Sequence, residues 1–195
     1  MEDIKIVLAS KSPRRQALIK ELGIPFEIRT KEVDEVYPES LNIYSVPEYL
    51  AELKAEPITN SLGSSEILLT SDTVVIFNGE ILGKPKDQVD AINMLSVLSG
   101  AMHEVVTGVS LRNNNKTHTF SVKTKVLFKE LTRSEIEYYV QEFKPFDKAG
   151  SYGIQEWLGL IGVKQIEGCF YNVMGLPTNA IYTAIKKEFG QNEFK

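Results

Sequence analysis

The chain is poor in the residues that build covalent or metal frameworks. Its single cysteine, Cys169, excludes an internal disulfide, and its two histidines leave no Cys/His cluster at the spacing of a structural zinc site. No apolar run approaches the roughly 20 residues that a membrane helix needs. The opening MEDIKIVLAS lacks a basic leader followed by a long apolar stretch, so the expectation is a cytoplasmic protein in a reducing compartment, without a membrane partner. Charge of one sign is also scarce: a net charge of -4 gives no global footprint for nucleic acid. Any anion site has to be built locally.

What is present is an ordinary globular composition, 43% hydrophobic and 25% charged, over 195 residues. That length predicts one domain, residues 1–195, with a well-buried core possible in two lobes. IKIVLA, residues 4–9, is a β-branched run suited to a buried strand. Behind it Ser12 fits an N-cap, Pro13 the first helical position and Gly23 the position just past a helix end. PFEIRT reads as a strand, EVDEVYPES as an acidic loop, and 46–55 as a second helix.

In EILLTSDTVVIFNGEILGKP two apolar runs flank a polar break at Thr70-Ser71-Asp72, and Asn78-Gly79 predicts a type I′ hairpin turn. A helix is expected from Asp87 to Leu98, two long antiparallel strands between His103 and Leu131, and a capping box T-R-S-E at Thr132 and Glu135. VKQIEG and CFYNVMG are candidate strands, and 177–189 a terminal helix. The pattern is mixed α/β, with hairpins that argue against a simple doubly wound sheet. His103 and His118 read as structural, and Cys169 as a packed residue of a buried strand.

Two stretches carry chemistry. In LASKSPRRQ, residues Ser10, Ser12, Arg14 and Arg15 all lie at a helix's first turn, where unpartnered N–H groups and the positive end of the dipole bind anions. Two arginines there oppose the dipole of an isolated helix, and a bound polyanion relieves the conflict, each guanidinium being able to clamp phosphate oxygens. The alternative is a solvated pair held by Glu21 or another carboxylate. In ILLTSDTVVIF an unpaired buried carboxylate is unfavourable, so Asp72 is expected at a strand end, beside a cation or a metal. Lys54, and Lys84 of the GKP that follows the hairpin, are the candidate cations; the alternative is an Asp72 that caps a turn beside two solvated lysines. Hydrolysis of a phosphoanhydride requires cations, a base that activates water and usually Mg²⁺ or Mn²⁺. Arg14, Arg15, Lys54 and Lys84 suit the first role and Asp72 the second. Asp34 and Glu35 of the acidic loop offer oxygen ligands for the third.

LASKSPRRQALIKELGIPFEI, LAELKA, SDTVVIFNGEILGKPKD, AINMLSVLSGAMHEVVTGVSL, FDKAGSYGIQ and GCFYNVMGLP, in that order, resemble the Maf family of nucleoside triphosphate pyrophosphatases, the Maf/Ham1-like enzymes first named for an association with septum formation. The resemblance implies an elongated mixed α/β sheet with flanking helices, two lobes around a central cleft, often as a homodimer. It implies cleavage of a nucleoside triphosphate between the α- and β-phosphates with a divalent metal such as Mg²⁺, Mn²⁺ or Co²⁺. Asp72 is then the proton acceptor, Ser10, Arg14, Arg15, Lys54 and Lys84 the phosphate pocket, and Glu35 the acidic position near the metal. Arg14, Thr73 and Gln155 occupy the places associated with base choice, in a combination that resembles the branch acting on dTTP and UTP. An amide such as Gln155 can read the O4–N3 edge of thymine or uracil, or can be a turn residue satisfying local backbone. Trp157 and Leu158 depart from the small residues of many relatives. The rival expectations are 7-methyl-GTP as substrate, or a nucleotide-binding regulator of cell division with little turnover.

Overall fold

The computed structural model describes residues 4–190. Seven strands form one open mixed sheet: β1 (Lys5–Leu8), β2 (Phe26–Ile28), β3 (Glu66–Phe77), β4 (Glu80–Leu82), β5 (Met102–Arg112), β6 (Thr117–Phe128) and β7 (Val163–Glu167). Their order is β2-β1-β3-β5-β6-β7, with β4 paired to β3. The helices are α1 (Pro13–Glu21), α2 (Val46–Thr59), α3 (Gln88–Leu98), α4 (Arg133–Phe143), α5 (Trp157–Gly162), α6 (Phe170–Val173) and α7 (Thr178–Phe189). The described residues fall into two compact units. The first takes those up to Asp72, those of Thr107–Val122 and those from Gly175 on; the second takes Thr73–Val106 and Lys123–Met174. β3, β5 and β6 each contribute residues to both.

In the first unit, β1 runs parallel to both β2 and β3, with Leu8 opposite Ile28 on one side and Leu69 on the other. Parallel strands need a crossover, and Ser12-Pro13 starts one directly after β1. Gly23 ends it at φ +71°, a left-handed conformation that glycine adopts without a Cβ penalty. α2 lies against β5 so closely that a Cβ on Gly108 would stand 2.2 Å from the Pro47 carbonyl. The Gly108→Ala variant is therefore expected to lose at least about 2 kcal/mol of stability, read as a lowered urea midpoint, because backbone rather than a pliable side chain blocks the methyl group.

In the second unit the Asn78-Gly79 turn has φ of 49° and 81°, the double left-handed geometry of type I′, and returns β4 onto β3 with Val75 opposite Leu82. The capping box at Thr132 and Glu135 starts α4, and Tyr139, Ile136 and Val140 bury its apolar face. His103 is buried, edge-on to Phe128 and Tyr152 with ring centroids 5.0 and 5.4 Å away, and its Nε2 is 2.8 Å from the Tyr152 hydroxyl. Burial lowers its pKa from 6.5 to about 4. The unfolded chain then binds a proton that the folded one refuses between those values. Stability falls as pH drops through this window, by about 3 kcal/mol once both states are protonated. Urea midpoints from pH 7 to 4 should show a steeper decline for the native chain than for His103→Gln.

Several sequence expectations are corrected by the fold. Thr70-Ser71-Asp72 does not break the strand, since β3 is continuous for 12 residues. CFYNVMG is not a strand: Phe170–Val173 forms a short helix, with the half-buried Cys169 at its N-cap rather than inside a buried strand. EWLGLIG, unassigned from sequence, supplies α5. α2 also continues past residue 55 to Thr59, through Pro57. The expectations for residues 1–3 lie outside the described residues.

Candidate functional site

The parallel register of the first unit builds the site. β1 stops beside Leu69, and the Ala9 N–H bonds the Leu69 carbonyl at 3.0 Å. The Ser10–Arg15 turn thus leaves the carboxyl end of β1 alongside Thr70-Ser71-Asp72, the place where open α/β sheets hold ligands. Ser12 occupies the N-cap of α1, but its hydroxyl makes no capping bond; instead Ser10 Oγ accepts the Ser12 N–H at 3.2 Å. No acidic residue lies in the helix's first turn, so its positive end faces no carboxylate of its own element.

Alternation along β3 sends Thr70 and Asp72 to one face, and α2 covers that face with residues one turn apart. Thr70 Oγ1 donates to the Ala51 carbonyl at 2.6 Å, and Lys54, three residues on, places its ammonium 2.6 Å from Asp72 Oδ1. The same ammonium is 3.1 Å from Glu35 Oε1. Asp72 therefore sits inside a strand and is compensated there by a cation from the neighbouring helix. It is not at a strand end, and it caps no turn.

Arg15 departs from the picture of a solvated pair. Its Nε donates to the Gly175 carbonyl and its Nη1 to the Ser71 carbonyl, both at 2.8 Å, which ties α1 to β3 and to the last segment of the chain. Burial pulls its guanidinium below the ordinary arginine value, Asp72 pulls it back up, and Arg14 adds to the lowering. It remains a cation. Ser10 is buried and Arg14 half-buried in the same turn. Ser71, facing away from Asp72, has a buried hydroxyl oxygen with no hydrogen-bond partner among the described residues. The contributions of Thr70 and Gly175 were not singled out from sequence; the TSD and MGLP segments contain them, but nothing local marks which atom is used.

The structure thus brings together Ser10, Arg14, Arg15, Lys54, Glu35 and Asp72 in the first unit. Thr73, Lys84 and Gln155 belong to the second. Thr73 is half-buried in β3, Lys84 is exposed after β4, and Gln155 precedes α5 with its amide oxygen buried and without a partner among the described residues. Lys148 is only 8% exposed, and its ammonium pairs with both Asp147 and Glu156.

Among the described residues, no trio of His, Cys, Asp or Glu is arranged around a metal position. Asp72 and Glu35, which share one ammonium, are two hard oxygen donors. That set fits a divalent ion of the Mg²⁺ type, which takes one or two carboxylates and completes its shell with phosphate oxygens and water.

The model of Maf-like proteins matches residues 5–188. A "dTTP/UTP pyrophosphatase" of Christiangramia forsetii is 49% identical over 96% of this chain and 95% of its own length. One of Flavobacterium psychrophilum is 50% identical over 93% of each. One of Porphyromonas gingivalis is 47% identical over 98% of each. Among solved structures, that of the Staphylococcus aureus Ham1 protein matches at a TM-score of 0.49 and 16% identity, covering 92% of this chain and 98% of that one. With the first two strands, the arginine turn and the strand-borne acid in their places, and relatives near half-identical along its whole length, the chain belongs to the family of Maf-like proteins.

Proposed function

We propose that the chain is a metal-dependent nucleoside triphosphate pyrophosphatase. It takes dTTP and UTP, with room for some modified pyrimidine nucleotides, and releases the monophosphate and pyrophosphate. One observation carries the reading: Asp72 lies 2.6 Å from Lys54 on a strand whose neighbour ends in the Ser10–Arg15 turn. A carboxylate, an ammonium and an anion-favouring helix start are what water attack on a phosphoanhydride requires. Asp72 takes the proton from the attacking water. Ser10, Arg14, Arg15, Lys54 and Lys84 hold the phosphates and offset the charge of the leaving pyrophosphate. Glu35 would hold the divalent ion, which would supply neutralisation of phosphate charge when bound. Arg14, Thr73 and Gln155 set base choice.

The choice of dTTP and UTP over 7-methyl-GTP is supported by the relatives' names, all of which specify dTTP/UTP. The family model runs through both compact units, which supports reading 1–195 as one functional domain. No described helix is long and apolar enough to cross a membrane. A cytoplasmic homodimer without a nucleic-acid partner completes the proposal. The test is a panel of dTTP, UTP, CTP, GTP, ATP and 7-methyl-GTP with Mg²⁺, Mn²⁺ or Co²⁺, reading pyrophosphate and identifying the nucleotide product. The expected outcome is dTMP and UMP with one pyrophosphate each. Release of orthophosphate, a preference for 7-methyl-GTP, or tight binding without turnover overturns it.

A further inference from the structure

The segment around Gln155 is held far more firmly than a surface loop requires. Gly150 and Ser151 stand at φ of 66° and 62°, a left-handed pair whose second member is not glycine. Such strain persists only where the surroundings over-determine it. Those surroundings are dense: a Cβ on Gly150 would stand 2.8 Å from Val75 Cγ2, and Ser151 Oγ is 3.1 Å from Met94 Sδ. Next comes a tight turn, Gly153 to Glu156, closed by the Glu156 N–H on the Gly153 carbonyl at 3.0 Å. Gln155 is its third residue.

One hydroxyl staples both ends of this turn. Tyr139 of α4, fully buried, accepts the Gly153 N–H at 3.0 Å and donates to Glu156 Oε2. The other carboxylate oxygen of Glu156 is 3.1 Å from the Lys148 ammonium, which Asp147 also holds at 2.8 Å. A Cβ on Gly153 would be 2.7 Å from the Glu156 carboxyl carbon, so a side chain there would displace this carboxylate from its partners. Burial, and then the carboxylate acceptor, push the Tyr139 phenol well above its ordinary value, so it stays a donor. Every polar group of the turn named so far has a protein partner. The exception is the buried amide oxygen of Gln155, which has none among the described residues. A buried acceptor without a donor is unfavourable unless a ligand supplies one.

We propose that Tyr139, Glu156 and Lys148 are positioning residues for Gln155, fixing the turn that presents its amide to the N3–H and O4 of a uracil or thymine base. This rests on the pyrimidine triphosphate reading above. None of its members is among the proposed phosphate contacts Ser10, Arg14, Arg15, Lys54 and Lys84, so it acts on recognition of the base and leaves the chemical step alone. A ring edge with a fixed donor and acceptor is read well only by an amide that does not wander. Freed from the staple, Gln155 loses its contact with UTP, whereas CTP, which presents a different edge, has little to lose.

The experiment measures kcat and KM for UTP and CTP on the metal-loaded full chain, comparing wild type, Gln155→Ala, Tyr139→Phe and the double variant. Tyr139→Phe keeps the buried ring and deletes only the hydroxyl. It should raise the KM for UTP about tenfold with kcat within about threefold, leave CTP nearly unchanged, and add nothing in the Gln155→Ala background. An equal loss on both nucleotides, a loss confined to kcat, or full additivity with Gln155→Ala overturns the positioning role. Glu156→Gln, which keeps an acceptor for Tyr139 and removes one of the two carboxylate charges that Lys148 faces, should shift selectivity the same way and decides the matter if Tyr139→Phe does not fold. Wild-type indifference between UTP and CTP, or a Gln155→Ala variant with unchanged selectivity, is a separate result: it removes the base-reading premise, and the proposal falls with it.

Discussion

Replacing Asp72 by Asn should lower kcat on dTTP at least about a hundredfold while nucleotide binding survives. The expectation follows from what the substitution keeps. Asn is nearly isosteric, and its carbonyl oxygen can still accept from the Lys54 ammonium that lies 2.6 Å from Asp72 Oδ1. Lys54 also retains Glu35 at 3.1 Å, so the cation is not stranded. What disappears is the ability to take a proton from water, a contribution typically of 10² to 10⁴ in rate. Removing a negative charge from beside a triphosphate should hold affinity constant or tighten it. Pyrophosphate release measures the first effect and equilibrium binding of dTTP the second. Wild-type turnover in the Asn variant removes Asp72 from the role of base. Lost binding with unchanged kcat makes it a binding residue instead.

What the sequence disclosed and what it concealed differ by the distance over which the signals act. Asn78-Gly79 and the Thr132/Glu135 box are short-range statements, settled by a few neighbouring residues, and both stand in the structure; Ser12-Pro13 also starts α1, although the Ser12 hydroxyl makes no capping bond. For Asp72 the sequence leaves open a strand end, a neighbouring cation, with Lys54 and Lys84 as candidates, or a metal, because a carboxylate in an apolar run has no local compensation. The compensation is Lys54, 18 residues earlier in the chain on α2, and only the packing of α2 over β3 brings the two together. The place of Arg15 in the first turn of a helix directly after β1 was legible. Its grip on the Gly175 carbonyl, 160 residues away, was not. CFYNVMG has the aromatic and β-branched content of a strand, but Asn172 inside it donates to the Val105 carbonyl and to Thr124, and the segment winds as a single turn around that buried amide.

Lys54→Met should destabilise the fold and impair turnover together, and the stability loss should vanish once Asp72 is neutral. Methionine keeps the length and much of the packing of the lysine stem, so the change is mainly electrostatic. It leaves the Asp72 carboxylate, whose side chain is 11% exposed, without the ammonium that compensates it. Breaking a fully buried pair in this way costs about 3–5 kcal/mol, because the surviving charge is stranded. Here Lys54 is 17% exposed and the Arg15 guanidinium also acts on Asp72, so about 2 kcal/mol is the expected loss. Loss of a cation proposed to hold the phosphates should also lower kcat/KM by about a hundredfold. The discriminating measurement is a double-mutant cycle in urea. In the Asp72→Asn background no charge remains to be stranded, so Lys54→Met should shift stability by less than about 0.5 kcal/mol. An undiminished loss in that background would assign the effect to packing of α2 or to Glu35, and the pairing of Lys54 with Asp72 would no longer explain how a carboxylate is tolerated in the middle of β3.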